Sequence, residues 1–351
     1  MRNLSDGAIV NDRKIPGENA QPSVLVVILN WNGWEDTLTS VDSVLRLDYP
    51  NLRVLVIDNG STDGSLGHLQ TIHDERVELM ELPENRGYTG GCNEGFKRAL
   101  DAGTHYVWLL NNDAVVEDKN TLRSLVALGE SDPKIGVVSP RIAEPGKEIR
   151  LTYCGGICSM DPLILDSTCD PEEARRWARQ YPNACMAPGP AMLVKASVIR
   201  EIGMLDERFF TYWEDIDYSY RSSHAGYRNL VDIDSVVRHP WKDPKLNPLA
   251  MKPHWWYYNA RNEYWFWRKH LGTIRALRPS WWACSKMMQY ICRCREDQST
   301  SDAALAGLWH GWINRGGSYR PEYRMPRPLA ALIWRYAQAK ATPALSKPED
   351  K

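Results

Sequence analysis

From Ser23 to Leu110 the chain alternates short apolar runs with segments of helical spacing, and that rhythm admits few architectures. Ser23–Leu29 (SVLVVIL) is apolar throughout, as a strand covered on both faces must be. Leu38, Val41, Val44, Leu45 and Leu47 then recur at the spacing of one helix face. Leu52–Ile57 and Val77–Leu82 read as a second and a third strand, Tyr88–Ala102 as a helix, and His105–Leu110 (HYVWLL) as a fourth strand. Strands interleaved with helices imply an α/β fold built on a mostly parallel, doubly wound sheet. In such sheets ligands bind outside the carboxyl ends of the strands. The loops at those ends are NWNG, DNGSTDGS, PENRGYTGGCN and NNDAVVED, the polar, Gly- and Asn-rich stretches of this region.

Beyond residue 110 the pattern loosens. Short strands are expected near Gly136–Ser139, Leu151–Ser159 and Ala184–Val194, with a helix at Ala196–Ile202. From Pro253 onward the chain becomes helical and aromatic. A net charge of -1 excludes a globally basic, DNA-coating protein. The first residues carry no apolar core of signal-peptide length, and no apolar run reaches the length of a membrane span. The eight cysteines show no repeated Cys-x-x-Cys arrangement, so reduced thiols in a cytoplasmic protein are expected.

Three constellations carry chemistry. Asn111-Asn112-Asp113 directly follows the fourth strand. A carboxylate there can ligate magnesium or manganese that bridges phosphate oxygens, or it can simply make the turn and cap the next helix. Asp58 ends the second strand, where a carboxylate can accept from a base N–H or from ribose hydroxyls. Asn30, Trp31 and Asn32 offer amides and an aromatic face beside it. Asn85, Arg86, Gly87 and Gly90 precede the next helix, and glycines at that place let a phosphate or sugar approach the backbone. A dinucleotide G-x-G-x-x-G after the first strand is absent, which argues against a dehydrogenase. The third constellation, Trp213-Glu214-Asp215-Ile216-Asp217-Tyr218, sets three carboxylates at the start of an expected helix. There Asp217 would cap the helix and pair with Arg221. Glu214 and Asp215, in the turn before it, would face a substrate, with Tyr212 and Trp213 as aromatic walls.

In their order, VVILNWNGW, VLVIDNGSTDGS, LPENRGYTGGCNEGF, WLLNND, GPAMLVKASVIREIGMLDERFFTYWEDIDYSYR and WWYYNARN resemble family two of the glycosyltransferases, in particular bacterial rhamnosyltransferases of polysaccharide assembly. The resemblance covers residues 23–265. It implies a GT-A-type fold, inversion at the anomeric carbon, and a divalent metal, Mg or Mn. Asp113 matches the last position of the family's Asp-x-Asp, while Asn111 departs from it by losing a carboxylate. Asp215 of Glu214-Asp215 matches the expected base, with Glu214 as second candidate or acceptor ligand. Asp58 matches the base-reading Asp, Asn112 falls on the donor side, and His239 stands where some members have a metal-ligating His. The donor implied is a nucleoside-diphosphate sugar, dTDP-rhamnose before a UDP-hexose. The acceptor is a glycan, a lipid-linked or a small-molecule hydroxyl.

The layout expected is a disordered arm over 1–22, a GT-A catalytic unit over 23–250, a helical Trp-rich region over 251–340, and a flexible tail over 341–351. Between Met251 and Glu296, basic residues interleave with Trp255, Trp256, Trp265, Trp267, Trp281 and Trp282. That pattern suits peripheral contact with an anionic inner membrane face, or else helices packed on the catalytic unit. Arg261 and Asn262 fall in the family-like Tyr-Tyr-x-x-Arg-Asn segment, where a loop or helix could close over the donor. Nucleic acid is not an expected partner, and the sequence leaves a homo-oligomer open. A catalytically silent scaffold of the same fold is the alternative reading. A nucleotidyltransferase is set aside, because NWNGWED stands where that class has a Gly-rich loop with Arg and Lys.

Overall fold

The computed structural model describes residues 21–146, 148–240, 251–294 and 298–340. The expected arm, apart from its last two residues, and the expected tail over 341–351 lie outside that set.

The first half of the sheet is built from β1 (Val24–Asn30), β2 (Leu52–Asn59), β3 (Val77–Leu82) and β4 (Tyr106–Asn111). Their order is β3-β2-β1-β4, and every pairing is parallel. All seven residues of β1 are buried, which is why its sequence reads as an unbroken apolar run. Val24, Val26 and Ile28 face α1 (Trp34–Leu45) and α4 (Thr121–Glu130). Leu25, Val27 and Leu29 face α3 (Gly87–Asp101), with Phe96 and Ala99 packed on them. Helix α3 comes unusually near the sheet. A Cβ on Gly91 would fall 2.3 Å from the Leu29 side chain, and one on Gly95 2.6 Å from Val27.

The second half is mixed. Strand β11 (Ala191–Lys195) runs antiparallel to β4, with Ala191 opposite Leu110, and antiparallel to β6 (Ile135–Ala143) on its other side. Strand β6 pairs parallel with β12 (Arg228–Arg238), and β12 is edged by the two-residue β5 (Val115–Val116). Strand β7 (Leu151–Tyr153) adds to β6. A separate three-stranded sheet joins β10 (Cys185–Met186), β8 (Gly155–Met160) and β9 (Leu163–Thr168). The short α2 (Ser65–Leu69) lies between β2 and β3, and the helices of the second half are α5 (Pro171–Gln180), α6 (Ala196–Ile202) and α7 (Glu214–His224).

Four helices complete the described chain: α8 (Pro253–Leu271), α9 (Thr273–Cys294), α10 (Gln298–Trp312) and α11 (Arg327–Lys340). Trp256 and Ala260 of α8 meet Met287, Leu305, Leu308 and Ile333 in one apolar cluster. Trp265 and Trp267 turn the other way, into a cluster with Phe209 and Trp213. The Trp-rich stretch is therefore not one exposed surface. Trp256, Trp265 and Trp267 are core, Trp255 is partly buried against it, and Trp281 and Trp282 stand in the open.

Candidate active site

The site gathers where β4, β11, α7 and β12 end or begin. Asn111 closes β4, and its N–H donates to the carbonyl of Pro190 at 3.0 Å. One residue earlier, the N–H of Gly189 donates to Oδ2 of Asp215 at 2.9 Å. Oδ1 of Asp215 accepts from the N–H of Ile216 at 2.8 Å. Asp215 is thus tied through Gly189-Pro190 to the segment that carries Asp113. The contact is close, since a Cβ on Gly189 would sit 3.0 Å from Oδ2 of Asp215.

Glu214 and Asp215 occupy the first turn of α7 rather than the turn before it. Glu214 is buried, and its Oε2 has no hydrogen-bond partner. Burial, then the charge of Asp215, pushes the Glu214 carboxyl up to about 8. Burial also raises Asp215, against the two backbone N–H groups that favour its ionised form. Of the two, Asp215 accepts from the N–H groups of Gly189 and Ile216 while Oε2 of Glu214 has no partner, so Glu214 is the better holder of a shared proton.

Asp217 departs from its expected role. It lies inside α7, fully buried, and caps nothing. It pairs with Arg221 at 2.8 Å as expected, and also takes Lys269 and His270 of α8 at 2.8 Å each. Burial would raise this carboxyl, but the His270 hydrogen bond and the two cations hold it below the usual range. The helix cap is Trp213, in the left-handed region at φ 75° with no side-chain cap.

The backbone leading into α7 is strained. Phe210, Tyr212 and Trp213 have φ of 66°, 65° and 75°, values that side chains other than glycine rarely adopt. The segment is held from α8. Arg261, fully buried, donates through Nη2 to the carbonyl of Phe209 at 2.9 Å and through Nη1 to that of Gly317 at 2.7 Å. Its guanidinium lies over the rings of Trp265, Tyr258 and Tyr257, at 4.5, 4.9 and 5.2 Å. Nε of Arg261 donates to Oδ1 of Asn262 at 2.9 Å, which aims the Asn262 amide at the carbonyls of Phe209, Thr211 and Tyr212. Arg261 and Asn262 therefore hold a loop from behind, where the sequence suggested closure over a ligand.

Trp213 and Tyr212, read from the sequence as acceptor walls, part company here. Trp213 is buried against Phe266, and its indole N–H reaches Asn259 at 3.1 Å. Tyr212 is half-buried, its hydroxyl pushed up to about 12 by burial and by the charges of Glu214 and Asp113. Tyr212 accordingly lies within electrostatic reach of both Glu214 and Asp113.

Asp113 meets His239 for a topological reason. Val115 of β5 pairs with Arg238 of β12, so Asp113, two residues before, falls beside the residue after Arg238. Oδ1 of Asp113 lies 3.2 Å from Nε2 of His239, and Nδ2 of Asn111 lies 3.1 Å from the same nitrogen. Nδ1 of His239 is buried without a partner. Arg238 anchors the strand end through Glu117 at 3.0 Å and the carbonyls of Glu144 and Glu148 at 3.0 and 2.8 Å. Among the described residues no third His, Cys, Asp or Glu joins the pair. A carboxylate and an imidazole this close suit a hard divalent cation whose other positions belong to phosphate oxygens and water. The donor set fits such an ion bound with a diphosphate.

The first two loops form one network. Nδ2 of Asn30 donates to Oδ1 of Asp58 at 2.7 Å, and the N–H of Ser61 donates to Oδ2 at 3.1 Å. Thr37 donates to Oδ1 of Asn30 at 2.8 Å and accepts from Nδ2 of Asn112 at 3.2 Å. Asn32 accepts from the N–H of Thr62 at 2.8 Å, while Trp31 projects into solvent. Asn30 and Asp58 are both buried, beneath these loops.

In the third loop, Asn85 accepts from the N–H of Gly87 at 2.8 Å and from Asn59 at 3.2 Å. Arg86 is paired with Glu94 at 2.5 Å and Glu207 at 3.4 Å. Gly87, at φ 74°, leaves room for Phe210, whose carbonyl would lie 2.4 Å from an added Cβ. Gly90 accommodates Arg86, whose Cβ would lie 2.8 Å from such an atom. Thus the close approach these glycines permit is, in this structure, to protein. Gly189 and Thr37 were not singled out by sequence reasoning. Gly189-Pro190 before an apolar run was the available signal for the first.

Known proteins resemble this chain in sequence and in fold. The chain is 27% identical over 206 residues to an N-acetylglucosaminyl-diphospho-decaprenol L-rhamnosyltransferase of Mycobacterium tuberculosis, covering 53% of this chain and 66% of that one. It is 26% identical over 207 residues to the low-salt glycan biosynthesis hexosyltransferase Agl10 of Haloferax volcanii, covering 56% and 60%. The matched region spans less than two thirds of either relative's own length. The fold is similar to that of the Pyrobaculum calidifontis mannosyltransferase PcManGT in complex with GDP-Man and Mn2+, with TM-score 0.55, 18% identity and 93% and 88% of the two chains covered. It is also similar to S. aureus TarS 1–349 in complex with UDP-GlcNAc, with TM-score 0.52, 14% identity and 91% and 88% coverage. Both likenesses show the GT-A-type fold. The family model for glycosyl transferase family 2 matches residues 24–203, more than half of the 351. On that match, and with this fold beneath it, the chain belongs to glycosyl transferase family 2.

Proposed function

We propose that the protein transfers a sugar from a nucleoside-diphosphate donor to an acceptor hydroxyl, with inversion and with Asp215 as general base. The observation that carries this reading is the placement of Asp215. Its carboxylate is fixed by the Gly189 N–H, its proton affinity is raised by burial, and two hydrogen bonds join its surroundings to the segment bearing Asp113. A base with raised proton affinity is better matched to a hydroxyl proton than an ordinary aspartate. As the acceptor oxygen attacks the anomeric carbon, its proton passes to Asp215. The bond to the diphosphate oxygen breaks on the opposite face. No covalent enzyme intermediate is involved.

Asp113 and His239 would hold a magnesium or manganese ion, which when bound neutralises charge on the departing diphosphate. The Mn2+ in the PcManGT complex supports a divalent metal for a fold of this kind. Asn30, Asn32, Asp58, Asn85, Arg86 and Asn112 would frame the nucleotide, with Asp58 held rigid by Asn30 and Ser61. Glu214, holding its proton, would donate to an acceptor oxygen or stand close enough to tune Asp215. For the donor, dTDP-rhamnose leads and a UDP-hexose follows, on the strength of the rhamnosyltransferase relative. The acceptor would be a hydroxyl on a glycan or on a lipid-linked sugar.

The test is a panel of nucleotide sugars with manganese, read by nucleoside-diphosphate release and by thermal stabilisation. One donor should stabilise the protein only when metal is present and should turn over slowly. If no nucleotide sugar or nucleoside diphosphate stabilises it with any metal, the reading fails and the silent scaffold replaces it.

A further inference from the structure

Helix α9 has two faces, and among the described residues only one of them is buried. Its inner side, with Ala276, Met287 and Met288, is buried. On its outer side Ile274, Leu277, Trp281 and Trp282 are exposed. Their spacing of three, four and one places them on a single stripe running about two turns. Ile274 is 84% exposed and Trp282 64%. Helix α11 widens the stripe, for the Tyr336 ring lies 5.1 Å from that of Trp281 and Leu332 is 65% exposed. These six are six of the ten large apolar side chains exposed among the described residues.

Charge on the same two helices has one sign. By sequence α9 carries four Lys/Arg and α11 three, with no Asp or Glu on either, in a chain whose net charge is -1. Arg275 and Arg278 interleave with the stripe in sequence, and the ammonium of Lys286 sits 4.5 Å above the Trp282 ring. Aliphatic side chains at the positions most open to solvent have no use for a nucleic acid or an acidic peptide. Leu, Ile and Trp with a cationic border are what the boundary between lipid headgroups and acyl chains accepts. No described helix is long and apolar enough to cross a membrane, so contact here means lying on the surface.

We infer that the α9–α11 face is a docking surface for an anionic lipid bilayer, entered by Ile274, Leu277, Trp281, Trp282 and Leu332. Helix α8 packs beneath α9, and the same helix grips the 209–212 segment through Arg261 and Asn262. Docking would therefore fix the orientation of the candidate active site relative to the membrane plane. The inference does not rest on the transfer reaction, and its failure would leave that proposal standing.

The test is co-sedimentation of the full chain with vesicles of phosphatidylcholine alone or of equal parts phosphatidylcholine and phosphatidylglycerol. The protein should pellet with the anionic vesicles, stay in solution with the neutral ones, and be released as salt rises. Ile274→Glu with Trp282→Glu alters only exposed positions and should abolish pelleting while the melting curve stays that of the wild type. Arg275→Gln with Arg278→Gln should weaken partitioning about 25-fold, from roughly fivefold per cation near an anionic surface. The inference is overturned if the wild type ignores anionic vesicles, if it binds both compositions equally, or if the folded variants pellet as the wild type does. It is equally overturned if sedimentation velocity finds a wild-type dimer that the Glu variant splits, since the face would then meet a second copy of the chain.

Discussion

The side-chain amide of Asn262 donates to the carbonyl of Thr211 at 2.7 Å, and so joins α8 to the loop that delivers Glu214 and Asp215. The same nitrogen lies 2.9 Å from the carbonyls of Phe209 and Tyr212. Between those carbonyls the backbone passes through left-handed conformations that cost about 1–3 kcal/mol each. Asn262→Asp would replace the donor with a charge facing carbonyl oxygens at a fully buried position. Stability should fall by more than about 2 kcal/mol in urea unfolding. Turnover of the folded fraction should fall at least roughly tenfold as Asp215, the proposed base, loses its position. Donor affinity should hold, because the expected donor loops are built from β1, β2 and α3. A variant with full turnover and only reduced stability would reduce the contact to a packing role.

Asp215→Asn keeps an acceptor for the Gly189 N–H and removes the proton acceptor. Turnover should drop by about 10²–10⁴, the usual contribution of a general base, while thermal stabilisation by donor and metal persists. In the wild type the acid limb of the pH–rate profile should lie above the ordinary aspartate range, since burial raises Asp215. Activity near the wild-type level in Asp215→Asn would remove Asp215 from the role and bring Glu214 forward.

Asp113→Asn and His239→Ala both alter the pair whose atoms stand 3.2 Å apart. The manganese concentration giving half-maximal turnover should rise at least roughly tenfold in each. The double variant should lose less than the two separate losses combined, as expected of two groups on one ion. Unchanged metal dependence in His239→Ala would leave the imidazole as a partner of Asn111 alone.

What the sequence disclosed and what it hid divide by range. The parallel strands were legible because a strand covered on both faces must be apolar throughout, and β1 is. The start of α7 was misread by one turn because its cap is Trp213, held left-handed by carbonyl contacts from α8, some fifty residues along the chain. A cap built by a distant helix leaves no local mark. Asp217 looked like a cap because short acidic side chains usually are, yet its partners Lys269 and His270 also come from α8. Gly87 and Gly90 looked like openings for a phosphate. Their neighbours are Phe210 and Arg86, and only the folded chain shows that. His239 drew attention by resemblance, but its meeting with Asp113 depends on the register of the two-residue β5, too short to leave a pattern.

Glu263 offers a test of the helical region free of catalysis. It lies on α8, where the indole N–H of Trp267 donates to it at 3.3 Å. Burial pushes its carboxyl up to about 8, and the Trp267 hydrogen bond and the Lys286 charge only partly offset that. With a folded pKa above the unfolded value of about 4.5, the native state holds a proton that the unfolded chain releases. The stabilisation is whole below about 4.5 and is lost as pH rises to about 8. The slope is at most about 1.4 kcal/mol per pH unit for one proton. Glu214 is raised into the same window and adds to the decline. Asp217 has the opposite sign, its folded value lying below the ordinary one. Its contribution is lost only as pH falls past the ordinary aspartate range, outside this window. Glu263→Gln should therefore make the decline shallower than that of the wild type in urea midpoints taken across the window, while Asp215, also raised, and His310, lowered to about 4 by burial, titrate alike in both proteins. Identical slopes for the wild type and Glu263→Gln would mean that Glu263 is solvated in the native state and that α8 and α9 do not exclude water around it.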